Sequence, residues 1–318
     1  MWDAARERVL WVDIEGGAVL EGVLDGEVVE VVARHDLDGT VGAVVPSRDG
    51  RLLVAGQEEL VVLDPAGGRT PGPRTPGPRM LAAGTRSPGP RIVAAGTHSR
   101  TNDGAVDPAG RFLIGTLALE HLEHLEHRER LVRVEDDGAL TVLDEDLGLS
   151  NGLAWSPDGS RLYSVDTTAR VVWVRDYDAV TGAVGRRHEH LRFGDPHPDG
   201  ICMDADGALW VALWGTGQVR RYADDGELLA TVEVDAPHTS SVAFVGPDLD
   251  VLLITTARTG LTPEQLAAHP DSGRLFTARV DAVGVPTTPW SGSWAPLDPT
   301  PANGDAAAGP GSAVGPPR

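Results

Sequence analysis

The chain of 318 residues is 41% hydrophobic and 23% charged, enough apolar material for one sizeable buried core. Its 47 acidic and 27 basic residues leave a formal net charge of −20, a body that repels phosphate backbones, so no nucleic-acid partner is expected. Every basic residue is arginine, which rules out lysine Schiff-base chemistry, and the single cysteine, Cys202, rules out an intrachain disulfide and a thiolate metal cage.

No run of about 18 apolar residues occurs, so no membrane-spanning helix is expected. The opening Met1-Trp2-Asp3-Ala4-Ala5-Arg6 lacks an apolar signal region, and a cytoplasmic protein is the expectation.

Along the chain one pattern recurs, a turn of Asp, Pro and Gly followed by a short apolar strand. A weak copy at 8–13 is followed by one at 48–55. Residues 69–98, with tandem Thr-Pro-Gly-Pro-Arg and Ala-Ala-Gly-Thr units, read as a low-complexity loop insertion between two repeats. Stronger copies follow at 107–115, 156–166 and 204–212, and a weaker one at 247–254. Six copies spaced by roughly 40 to 60 residues are the period of propeller blades, and a second strand pair after most of them supplies four antiparallel strands per blade. The fold class predicted is all-β, a six-bladed β-propeller forming one domain over 1–285.

Helical patterning is confined to 262–268 and 119–130. Within the latter, a Glu-His-Leu micro-repeat brings His121, His124 and His127 close together; a solvated loop is the preferred reading over a zinc site. The Pro/Gly/Ala-rich tail, 286–318, is expected to be disordered. Cys202 lies in an alternating apolar segment and reads as a buried structural thiol.

Three loops hold corresponding places at the starts of successive inner strands: Ser99-Arg100-Thr101-Asn102-Asp103-Gly104, Leu149-Ser150-Asn151-Gly152 and His197-Pro198-Asp199-Gly200. The chain has only three asparagines, and Asn102 and Asn151 occupy two of these places. Asn-Gly and Asp-Gly also suit turns of positive φ, but three in register favour a shared site where inner strands converge on the channel. The Asn151 amide oxygen and the Asp199 carboxylate are hard donors suited to calcium, magnesium, manganese or zinc, with a third protein ligand expected. A serine nucleophile is disfavoured, since Ser150 has only His197 as a conceivable base.

The order Arg-x-Asn-Asp-Gly-x-x-Asp-Pro-x-Gly-Arg at 100–111, then Ser-Asn-Gly, then Pro-Asp-Gly, resembles the regucalcin (senescence marker protein) and gluconolactonase family from Trp2 to about residue 280. That resemblance implies a divalent metal held by Asn151 and Asp199, lactone oxygens held by Arg100 and Asn102, and a substrate-contacting acid at Glu120. It further implies hydrolysis of a sugar-type lactone, with Asp199 doubling as base. The family's Gly-Glu-Gly-Pro element, whose glutamate is a metal ligand, does not stand before Trp2. Glu15, in the hairpin beyond the following strand, is not expected to replace it; a start codon assigned too far downstream would explain the gap, and real loss of the glutamate is the alternative. Two other readings stay open: a non-catalytic calcium-binding or protein-docking propeller, and a related metal-dependent esterase.

Overall fold

The Asp- and Gly-bearing turns each link the first and second strands of an antiparallel sheet. In one, the fully buried Asp107 carboxylate accepts the amides of Ala109 and Arg111 at 2.9 Å, while Gly110 takes a φ of 101° that a side chain would resist. Asp204 repeats this, accepting the Asp206 and Ala208 amides at 3.1 and 2.9 Å. Two other turns move the carboxylate two places on, where Asp49 and Asp158 accept the hydroxyls of Ser47 and Ser156.

The structure, a computed structural model, describes residues 1–65, 79–80, 85–94, 96–119 and 129–292. Its strands form six sheets, each the blade predicted from one repeat. Blade 1 comprises Trp2–Asp3, Arg8–Asp13, Ala18–Asp25 and Val28–Asp36, with Arg79–Met80 added in parallel. Blade 2 is Val41–Pro46, Leu52–Gly56, Glu59–Asp64 and Thr85–Arg91; blade 3 is Ser99–Val106, Phe112–Ala118, Glu129–Val134 and Leu140–Leu147. Blade 4 is Ser150–Trp155, Arg161–Asp166, Val171–Asp176 and His188–Arg192; blade 5 is His197–Met203, Leu209–Trp214, Gln218–Tyr222 and Leu228–Glu233. Blade 6 has three strands among the described residues, Thr239–Val245, Val251–Thr256 and Leu275–Arg279.

Six hydrophobic clusters fill the spaces between neighbouring blades, one cluster for each pair. Between blades 4 and 5, for example, Tyr163, Val165 and Phe193 meet Ile201, Leu209 and Val211. The sixth cluster, Trp2 and Val9 against Val245, Val251 and Leu253, joins the last blade to the first and closes the ring. Closure leaves the inner sheet edges short and turned toward the channel, protected from pairing with another chain.

The helix forms at Pro263–Ala268, with Thr262 and Gln265 making a reciprocal capping box. No helix among the described residues is long and apolar enough to cross a membrane. Of the second expected helical stretch, 120–128 lie outside the described residues, and Glu129 and Arg130 begin a strand of blade 3.

Two segment expectations are corrected. Within 69–98, Thr85–Arg91 is the fourth strand of blade 2, paired with Glu59–Asp64. Its prolines are tolerated because an outermost strand leaves one row of amides unpaired. Within 286–318, residues 286–292 pack against the propeller: Trp290 is 3% exposed inside the cluster between blades 2 and 3. Burial of one large aromatic outweighs the Pro- and Gly-rich composition around it.

Candidate active site

Five inner strands carry a register irregularity near the same end of the channel: Val41/Ala43, Thr101/Gly104, Asn151/Leu153, Pro198/Ile201 and Thr239/Ser241. Bulges of this kind re-aim side chains out of the pleat, here into the channel. The glycines beside them serve close packing, not left-handed turns. A Cβ on Gly42 would lie 2.4 Å from the Asn102 carbonyl oxygen, one on Gly152 2.5 Å from that of Asp199, and one on Gly200 2.2 Å from the Ser241 hydroxyl. Each glycine therefore lets the next inner strand approach, and none of the three has a positive φ.

Arg100, Asn102, Asn151 and Asp199 all line one cavity of about 1850 Å³ along the channel. Asn102 is held from both sides: its Oδ1 accepts from Arg100 Nη1 at 2.9 Å, and its Nδ2 donates to the Ser150 carbonyl of the next blade at 3.0 Å. Asn151 Nδ2 donates to the Thr167 hydroxyl at 3.2 Å, and that hydroxyl donates to the Pro198 carbonyl at 2.7 Å, tying blade 4 to blade 5 beside Asp199. The Asn151 amide also favours the ionised form of the Asp199 carboxylate.

Electrostatically the pocket is rich in acid. Burial, reinforced by the charge of Asp103, holds the Asp199 carboxyl well above the ordinary range, against the opposing pull of Asn151 and Arg100. Burial also lifts Asp103 to about 6, partly offset by the Gly104 amide on its carboxylate. Arg100 is pushed down by burial, while Glu15 and Asp199 favour its charged form.

Three residues given no role in the site by the sequence belong to this wall. Asp103 stands inside the quoted Asn-Asp-Gly motif, so its signal was present. Thr167 follows the end of a blade 4 strand without any marker of its own. Glu15, set aside in the sequence as a replacement for the family's glutamate, lines the cavity and favours the charged form of Arg100.

Glu120, His121, His124 and His127 lie outside the described residues. Among the described residues no group of three or more His, Cys, Asp or Glu side chains is arranged to hold a metal. Ser150 and His197 form no hydrogen bond with each other; the His197 ring faces the Thr167 carbonyl at 3.3 Å. Cys202 is half-buried on the cavity wall, and burial pushes its thiol up, away from nucleophilic use.

With this arrangement in view, comparison with known proteins is decisive. Residues 1–258 match the profile of the SMP-30/Gluconolactonase/LRE-like region. The chain belongs to that family. It is 30% identical to the regucalcin of Danio rerio over 292 residues, covering 91% of each chain. It is 33% identical to the pentonolactonase XacC of Haloferax volcanii over 297 residues, covering 90% of this chain and 91% of the relative. Among solved structures, a calcium-binding regucalcin from Agrobacterium tumefaciens superposes with a TM-score of 0.79 at 28% identity, covering 91% of each chain. A gluconolactonase from Xanthomonas campestris gives 0.60 at 25% identity over 80% of each.

Proposed function

We propose that this member of the SMP-30/gluconolactonase family hydrolyses a sugar-type γ- or δ-lactone to the free hydroxy acid with the help of a divalent metal. The observation that carries the reading is the convergence of Arg100, Asn102, Asn151 and Asp199, from three successive blades, on one channel cavity. Kinship with a pentonolactonase and a gluconolactonase supports the same reaction class.

The donor set suits calcium, magnesium, manganese or zinc. Asn151 and Asp199 offer hard oxygens, and Asp103 adds a second desolvated carboxylate with Arg100 as the neighbouring cation, so a bound cation would offset charge that burial disfavours. Asn151 and Asp199 would hold it. Such an ion, when bound, supplies Lewis acidity toward the lactone carbonyl.

The remaining work falls to the chain itself. Arg100, fixed by its bonds to the Thr101 carbonyl and Asn102, presents guanidinium N–H groups to ring and hydroxyl oxygens of the substrate. Asn102, clamped between Arg100 and Ser150, orients the ester for attack. In the reaction water oxygen bonds to the acyl carbon and the ring carbon–oxygen bond breaks. Asp199 takes the water proton as base and returns it to the departing ring oxygen, which leaves as the new hydroxyl.

The test is hydrolysis of glucono-δ-lactone by the full chain, with and without chelator and metal replacement. Turnover that chelation removes and metal restores is expected, with a loss of about 10²–10⁴-fold in Asp199→Ala. Chelator-insensitive turnover, or an active Asp199→Ala, overturns the mechanism. Calcium binding without turnover of any lactone would favour the second reading, a calcium-binding propeller, which the Agrobacterium relative described as calcium-binding supports.

A further inference from the structure

From Asp199 the cavity wall continues through blade 6 in a consistent chemical order. First come hydroxyls: Ser240, Ser241, Thr255 and Thr256 line the cavity, with Ser240 Oγ and Thr255 Oγ1 2.8 Å apart. Beside them is an aromatic lip. His197 is the strand partner of Trp214, and Trp214 is bridged to His238, whose ring stacks on the indole at 4.0 Å and 18°. His238 Nδ1 meets the Thr259 carbonyl at 3.0 Å, which anchors the loop after Thr256 against this lip.

That loop carries two exposed arginines, Arg258 and Arg274, and both line the same cavity. Their placement is built. The Arg258 stem lies across Gly273, where a Cβ would come within 2.6 Å of Cγ and 2.9 Å of Cδ. The Thr256 hydroxyl accepts the Gly273 amide at 2.9 Å and donates to the Arg274 carbonyl at 2.8 Å, pinning the two arginines side by side. Arg274 pairs with the half-buried Asp271 at 3.2 Å, whereas the Arg258 guanidinium makes no ion pair or hydrogen bond among the described residues. The chain carries a formal charge of −20, so two exposed arginines side by side at the channel mouth oppose the sign of the body as a whole.

We infer that the substrate of this site is a polyhydroxylated lactone bearing an anionic group, a carboxylate or a phosphate, at the end remote from the ring ester, and that Arg258 and Arg274 select it. The inference rests on the lactonase reading above. The ester sits at Asp199, the hydroxyl wall follows the sugar chain, and the arginines receive the terminal anion. An acidic body repels such a substrate at long range, and a local cationic lip is what admits it. Guanidinium groups match carboxylate and phosphate oxygens in two-pronged geometry.

Steady-state kinetics on matched lactones test this: glucono-δ-lactone, its 6-phosphate, and a glucarolactone carrying a terminal carboxylate. The expected result is a KM lower by roughly tenfold for at least one anionic lactone, equivalent to about 1.4 kcal/mol, and an advantage that high salt narrows. Arg258→Ala erases most of that advantage and Arg258→Lys keeps part of it. A preference confined to one of the two anions identifies which the lip receives. Equal or better KM for the neutral lactone, or an anionic advantage that survives Arg258→Ala together with Arg274→Ala, overturns the inference while leaving the hydrolase reading intact. Calorimetry with the open-chain acids separates the two failures. If no lactone is turned over but 6-phosphogluconate binds about tenfold tighter than gluconate, and Arg258→Ala removes the difference, the anion lip stands without the hydrolase. Equal binding of the two acids removes it.

Discussion

A methyl group added at Gly152 would lie 2.5 Å from the Asp199 carbonyl oxygen and 2.9 Å from both the Ile201 amide nitrogen and its Cγ1. Two of these three atoms are backbone of the next blade, so no rotamer change relieves the collision and the two inner strands must separate. Gly152→Ala is expected to cost about 1–3 kcal/mol in thermal or denaturant unfolding, the usual penalty of overpacking. Because the displaced strand carries Asp199, lactone turnover should fall as well, while a variant that melts and turns over like the parent would show that the spacing is not set here. The Asn-Gly and Asp-Gly pairs were plain in the sequence, but their reason was not. Read locally, such pairs mean turns; only the neighbouring strand reveals that the missing Cβ makes room for another blade. Asp103 was overlooked for a related reason, since a bulge decides which of two adjacent residues faces the channel and periodicity alone does not.

At the scale of the blade, the repeat was legible because each Asp- and Gly-bearing turn makes its own capping bonds, as Asp107 and Asp204 do, so its signal is local. The outer strand Thr85–Arg91 was hidden because its prolines deny the strand pattern that inner strands show. Blade 1 has a charged interior that composition also concealed. Glu21, 5% exposed, accepts from Arg6 Nη1 at 3.0 Å and faces His35 Nε2 at 2.8 Å, while Arg6 Nε donates to Asp3 at 2.6 Å. Burial is the largest single influence on Glu21 and acts upward, but the hydrogen bonds and charges of His35 and Arg6 together outweigh it and leave the carboxyl below its ordinary value. A group whose pKa is lower folded than unfolded stabilises the fold above its unfolded pKa, and that contribution is lost as pH falls through the folded value. The stability difference between the parent chain and Glu21→Gln should therefore be greatest near neutral pH and shrink steadily under acid in denaturant titrations. A difference that does not change with pH would show that the network holds by hydrogen bonds alone.

At the scale of the whole ring, one segment touches most of the circle. After blade 6 the chain pairs at Gly284 with Asp204 of the blade 5 turn, and Thr287 Oγ1 donates to the Trp2 carbonyl of blade 1 at 3.2 Å. It then donates from the Trp290 amide to the Pro46 carbonyl of blade 2 at 2.8 Å and from the Ser291 amide to the Gly110 carbonyl of blade 3 at 2.9 Å. Val285, Pro286, Thr287 and Thr288 line the channel on the way, so the strap crosses the end opposite Arg258 and Arg274. Its anchor is Trp290, packed with Val45, Leu53, Phe112 and Val134. Truncating a buried tryptophan leaves a cavity worth about 3–5 kcal/mol, and a shift of that size lowers the unfolding midpoint by on the order of 10 °C. Trp290→Ala should show that shift by calorimetry, and a chain ending after residue 282 should lose at least as much, because it gives up the hydrogen-bonded ties to four blades as well as the indole. The proposed site lies across the channel from the strap, so lactone turnover measured well below the new midpoint should change far less than stability. Equal losses in both would mean that the strap sets the geometry of the Asp199 pocket itself, through the inner strands it holds in register.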